Sequence, residues 1–68
     1  MITKETPLDE AWRLAIDREA EAYEFYKEAA EAVSEDSAKK LFEFLMKEEQ
    51  RHRDLLQAEY DKAFIQEM

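Results

Sequence analysis

Glu49 and His52, the ends of the tetrapeptide Glu49-Gln50-Arg51-His52, offer a carboxylate and an imidazole three residues apart. On a helix, residues at i and i+3 share a face, so both groups can reach one point in space. That is the spacing of two metal ligands. Alone it is a weak signal, because an exposed Glu-x-x-His is commonly a solvated surface pair. Its setting gives it weight. Ala38, Phe42, Leu45, Glu49, His52, Leu56, Glu59 and Ala63 follow alternating steps of four and three, the stripe a helix presents to its partners. Glu49 and His52 thus stand where a packed bundle expects Leu or Ile, and a buried charge costs several kcal/mol unless it is paired or coordinated.

A second stripe precedes it. Trp12, Ile16, Glu19, Tyr23, Tyr26, Ala30 and Val33 repeat the same spacing, again with one carboxylate, Glu19, inside it. Ala22, Phe25, Ala29 and Ala32 form an adjacent apolar row, as do Leu41, Phe44 and Leu55 on the later segment. Such breadth exceeds a two-helix contact and suits a bundle.

These stripes predict two helices. Thr6-Pro7-Leu8-Asp9 reads as a helix start, with Thr6 as N-cap, Pro7 in the first helical position and Asp9 placed like the acid of a capping box. Ser34-Glu35-Asp36-Ser37 is the one break, with Ser34 as the expected N-cap and Glu35 and Asp36 complementing the dipole of the next helix. The second helix is expected from about residue 35 to near Gln66. The two would be roughly 27 and 32 residues long, joined by a very short connection as an antiparallel hairpin. Residues equally far from the turn then lie side by side. The midpoint of Glu19 and the Glu49/His52 pair falls at about residue 35, so all three meet at one level, roughly 23 Å from the turn at 1.5 Å per residue. A two-fold dimer of such hairpins would bring two sets together, four carboxylates and two imidazoles, the donor set of di-iron or di-manganese carboxylate bundles. Oxygen and imidazole donors suit Fe(II), Mn(II) or Zn(II) better than copper.

Composition narrows the field. The 68 residues predict a single helical domain, 1–68, too short for a large core of its own. With no cysteine, disulfides, thiolate zinc sites and iron–sulfur clusters are excluded. A net charge of −8 argues against a nucleic-acid partner and favours attraction of cations. The polar start Met1-Ile2-Thr3-Lys4-Glu5 and the absence of a long apolar run predict no membrane partner and a cytoplasmic location. No glycine and one proline remove most strand and hairpin signals, leaving an all-α chain.

Ala15-Ile16-Asp17-Arg18-Glu19-Ala20-Glu21-Ala22-Tyr23-Glu24-Phe25-Tyr26, followed by Leu41-Phe42-Glu43-Phe44-Leu45-Met46-Lys47-Glu48-Glu49-Gln50-Arg51-His52, resembles the ferritin-like superfamily. The resemblance is to the small rubrerythrin-like proteins and the half-ferritins of the encapsulated type. It implies a hairpin that dimerises into a ferritin-like four-helix bundle, or a higher homo-oligomer. Within it Glu19 is the terminal carboxylate, Glu49 the bridging carboxylate and His52 the imidazole ligand of an inter-subunit di-iron site, with manganese as the other metal. Tyr26, two turns after Glu19, matches the tyrosine near such centres and is a candidate catalytic residue. The implied activity is ferroxidase-type oxidation of Fe(II) with O2 or peroxide. A rubrerythrin-like peroxidase served by an external electron donor is the neighbouring possibility. Rubrerythrins proper carry two copies of the motif and a cysteine-ligated centre, whereas this chain has one copy and no cysteine, so internal electron transfer from such a centre is not expected. Encapsulated ferritins carry an extension that docks to a shell protein. The final Phe64-Ile65-Gln66-Glu67-Met68 offers no obvious counterpart, so a shell protein is the less expected partner.

The plainer alternative is a metal-free helical dimerisation module in which Glu19, Glu49 and His52 are buried ion pairs that fix register. Tyr23 and Tyr26 then serve as core aromatics, and Trp12 and Met46 as core or interface fillers. Glu48 is expected as a solvated flanking acid, and Glu59 as a water-accessible residue near a frayed end. Glu21, Glu24, Glu28, Glu31 and Glu35 form an acidic row on the face away from the stripe, Lys27 partly offsets it, and Arg51 and Arg53 should pair with nearby acids.

Overall fold

The computed structural model describes residues 1–65, which form two helices, α1 (Leu8–Ala32) and α2 (Asp36–Tyr60), followed by a π-helical turn, Asp61–Ile65. The chain is an all-α hairpin, as the two apolar stripes require. The expected end near Gln66 lies outside the described residues.

The start of α1 differs from expectation. Pro7 is the N-cap, with extended backbone (φ −59°, ψ 147°) and no side-chain cap, and its carbonyl accepts from the Ala11 amide at 2.9 Å. Thr6 is spent elsewhere: its hydroxyl accepts from the Thr3 amide at 2.9 Å, closing a turn over Thr3–Thr6. A residue before proline is pushed out of the helical region, and here that residue already serves a turn of its own. Asp9 makes no capping box; it lies 4.0 Å from Arg13 on the surface. With Glu10 it still places negative charge in the first turn, where the helix dipole favours it.

The connection is three residues, Val33 to Glu35. With no glycine available, α1 ends by passing into extended backbone at Val33 (φ −82°, ψ 148°), and no described residue adopts positive φ. The last turn of α1 has no basic residue of its own; the Lys39 ammonium of α2 donates to the Ala30 carbonyl instead. Glu35, not Ser34, is the N-cap of α2. Its carboxylate accepts from the Ala38 amide at 2.8 Å and from the Ser37 hydroxyl at 2.9 Å. These bonds, the Ala38 amide foremost, hold its carboxyl below the usual range.

The far end is held by Trp12, whose indole Nε1 donates to the Leu56 carbonyl at 3.0 Å. Its ring meets the edge of Phe64 at 6.2 Å, and Phe64 packs on Tyr60 at 5.0 Å. At the near end Tyr26 stacks on Phe42 at 6.2 Å. Trp12/Leu56 and Tyr26/Phe42 are both centred on Ser34, so one register runs the length of the hairpin.

This hairpin is a single layer, 48 × 27 × 12 Å with a radius of gyration of 15.1 Å, where a compact chain of this length would have about 11 Å. It exposes 5362 Å², while a compact monomer of its mass exposes about 4,500 Å². Ala30 is the one buried hydrophobic residue among those described. Phe25 (62%), Leu41 (56%), Phe44 (56%) and Leu55 (61%) stand exposed. These are the adjacent apolar rows of the sequence, unfilled by anything in the hairpin itself.

Candidate metal centre

Glu19 reaches the centre from the middle of α1, and Glu49 and His52 from the middle of α2. The i,i+3 spacing puts the last two on adjoining turns of one face, and the Ser34-centred register brings Glu19 opposite them. His52 Nδ1 lies 3.5 Å from Glu49 Oε1 and 3.6 Å from Glu19 Oε1. One ligand atom from each residue falls within 4.8 Å of the others. Donors about 2 Å from a shared ion stand roughly 3–4 Å apart, so the three are close to a ligand set.

Burial is graded. The Glu49 side chain is 19% exposed, Glu19 26% and His52 52%. His52 is thus half open to solvent in a lone hairpin, less buried than its stripe position suggests, although its Nδ1 faces Glu19 of α1. Glu19 Oε1 is shielded from solvent and has no hydrogen-bond partner. Its pKa is raised, first by a hydrogen bond with the Glu49 carboxyl, then by desolvation and by the Glu49 charge; His52 acts in the opposite sense. The orphaned oxygen and the raised pKa describe one situation. With both carboxylates ionised, Glu19 faces a like charge and has no donor. A proton held between them supplies one, and so would a cation. The donor set fits a hard or borderline metal such as iron on these grounds.

The other acids singled out in the sequence stand apart from the centre. Glu48 accepts from Arg51 at 2.9 Å, and Glu59 lies 3.7 Å from Lys62 on the surface, so neither joins the cluster. Glu35, expected in the acidic row, caps α2; Glu21, Glu24, Glu28 and Glu31 remain an exposed face. Arg53, expected to pair as Arg51 does, has no ion-pair partner within 4.0 Å among the described residues. Tyr26 stands two turns from Glu19, about 10 Å along the axis toward the connection, with its ring against the edge of Phe25 at 5.3 Å and the face of Phe42. Trp12 proved more than a filler: its indole bond to Leu56 left no periodic signal, since any large apolar residue fits the stripe there. Among the described residues no helix is long and apolar enough to cross a membrane.

No curated protein and no solved structure matches the chain. The sequence model of one family, Rubrerythrin, matches residues 1–60 and so takes in α1, the connection, all of α2 and every residue of the centre. The chain belongs to the rubrerythrin family.

Proposed function

We propose that two copies of this hairpin pair about a two-fold axis into a ferritin-like four-helix bundle holding a di-iron centre, and that the centre oxidises Fe(II) with O2 or peroxide. The observation that carries this reading is the convergence of Glu19, Glu49 and His52 around a shielded carboxylate oxygen that lacks any donor.

Pairing is supported by what the single hairpin leaves exposed. Its surface exceeds that of a compact monomer by roughly 900 Å², close to the ~800 Å² each partner buries in a standard interface. Burying Phe25, Leu41, Phe44 and Leu55 would contribute about 1.5–3 kcal/mol each. Helix faces that carry them adjoin the open side of His52, so a partner there would shield the imidazole and double the ligand set. Each chain gives three donors. Two metals need more, and a second copy supplies them.

Glu19, Glu49 and His52 would hold the metals, with Glu19 as the terminal carboxylate, Glu49 as the bridging carboxylate and His52 as the imidazole ligand of each chain. Iron bound there supplies one-electron Fe(II)/Fe(III) chemistry toward an oxidant; manganese is the alternative occupant. The chain's own work is to hold two partly shielded carboxylates against each other, so that a cation is favoured over two ionised acids in contact. Tyr26, about 10 Å along α1 from Glu19, is assigned a redox role toward the centre.

Membership in the rubrerythrin family favours a second reading with the same ligands: peroxide as the substrate reduced, and an electron donor outside these 68 residues, which contain no cysteine. Turnover with peroxide against O2 separates the two.

Elemental analysis of protein loaded anaerobically with Fe(II) and desalted tests the site. About one iron per chain in the native protein and little in His52→Ala is the expected result; no retained iron in either would reject it. Stopped-flow absorbance on adding oxidant should then show a transient that Glu49→Ala and His52→Ala lack.

A further inference from the structure

Along the exposed flank of α2, Leu41, Phe44, Glu48, Arg51, Leu55 and Ala58 follow steps of three and four, so they form one row beside the stripe that packs on α1. Leu41, Phe44 and Leu55 are each more than half exposed. Arg51 is 68% exposed and Glu48 31%, and they pair with each other at 2.9 Å as i,i+3 neighbours. A solvated helix face needs no such row of large apolar residues. Its order has a particular symmetry. Leu41 and Ala58, Phe44 and Leu55, and Glu48 and Arg51 are three pairs centred on one point, between Glu49 and Gln50. Laid antiparallel on a second copy of itself about that point, the row sets apolar against apolar twice and, at the centre, acid against base.

We infer that α2 pairs antiparallel with α2 of a second copy in this register, and that Glu48 of each chain meets Arg51 of the other as an electrostatic key that admits this partner and this register. The inference rests on the two-fold pairing proposed above and adds its register and its specificity. Two chains place two acids and two bases around the axis in alternation. Each Glu48 keeps its own Arg51 on one side and gains the partner's on the other. Phe44 and Leu55 close over the ends of this cluster and exclude water from it, which strengthens charge pairs that contribute little in a lone hairpin. A shift by one helical turn would set Glu48 or Arg51 against Phe44 or Leu55, burying a charge against hydrocarbon, so wrong registers are rejected as well as the right one favoured. The same centre brings the two copies of Glu49 to the axis, although no metal ligand entered the choice of register.

Sedimentation equilibrium and native mass spectrometry of full-length protein test the key. Glu48→Arg sets Arg against Arg, and Arg51→Glu sets Glu against Glu; each alone should weaken dimerisation on the order of tenfold or more. Mixed, the two variants should form a heterodimer, because every residue-48 side chain again faces an opposite charge at residue 51 of the other chain. The reversal Glu48→Arg/Arg51→Glu in one chain should dimerise as the native protein does. Circular dichroism reports whether each chain is helical, and Glu48→Gln and Arg51→Gln replace any that is not. Single variants that dimerise like the native chain would overturn the inference. So would weakened variants that fail to combine, since an intrachain pair alone is not rescued by mixing. A native chain that stays monomeric would remove the two-fold pairing itself, an outcome distinct from failure of the key.

Discussion

His52 Nδ1 lies 3.6 Å from Glu19 Oε1, a shielded oxygen with no hydrogen-bond partner, on the opposite helix. The contact spans the hairpin, so it forms only once the two helices have docked in register. Glu19 is in turn held against Glu49, and the raised pKa of Glu19 expresses the resulting strain. Such a site is expected to oppose folding when empty and to favour it when a cation is present.

Glu19→Gln is therefore expected to move stability and metal binding in opposite directions. The amide removes one of two facing charges and can donate to Glu49, so the metal-free protein should gain about 0.5–1 kcal/mol. Iron retention should fall, because an amide is a poorer ligand than a carboxylate. Urea unfolding in chelator, beside iron content after desalting, checks both. Loss of stability together with loss of metal would mean that Glu19 is held by a favourable ion pair and that the strain is absent.

The far end of the hairpin should depend on a single indole hydrogen. Trp12→Phe keeps an aromatic ring against Phe64 and removes the donor to the Leu56 carbonyl, at an expected cost of about 1 kcal/mol. Hydrogen exchange should quicken first around Leu56 and Tyr60, while amides near Tyr26 and Phe42 keep their protection. Uniform acceleration along both helices would show instead that the hairpin opens only as one unit.

Much of this was legible in the chain. Periodicity gave both helices and their facing sides, and Glu19, Glu49 and His52 could be brought to one level because a very short connection leaves almost no freedom in register. The ends were harder. Thr6 and Glu35 were displaced from their expected roles by local competition for hydrogen bonds: Thr3 takes the Thr6 hydroxyl, and Glu35 reaches the Ala38 amide, so α2 is capped one residue later than Ser34 would have capped it. Propensity ranks caps by residue type, yet here the longer side chain from the adjacent position won. The half-open state of His52 was not legible either, since a stripe marks the face a helix turns to its partners and not how far a single partner covers it.

Acid should loosen the connection before it unfolds the rest. The Glu35 carboxyl has a folded pKa below its ordinary value of 4.5, so its capping contribution is fully present above that value. It is lost as pH falls through the lower folded pKa. Glu35→Gln should lower the melting temperature at neutral pH, with the gap to the native protein closing as pH drops below 4.5. A gap unchanged by pH would place the cap's effect in the side chain's shape and not its charge.

Tyr26 offers the sharpest separation between structure and chemistry. Its ring is fixed by Phe25 and Phe42, and no hydrogen bond of its hydroxyl to another described residue anchors it. Tyr26→Phe should thus preserve the packing, leave stability within about 0.5 kcal/mol and leave iron per chain unchanged. If the phenol takes part in redox at the centre, single-turnover oxidation of bound Fe(II) should slow or change its transient absorbance in Tyr26→Phe. Tyr23→Phe, at the neighbouring stripe position, serves as the control and should match the native trace. Native-like kinetics in Tyr26→Phe would return Tyr26 to the core as a packing residue, with the three ligands unaffected.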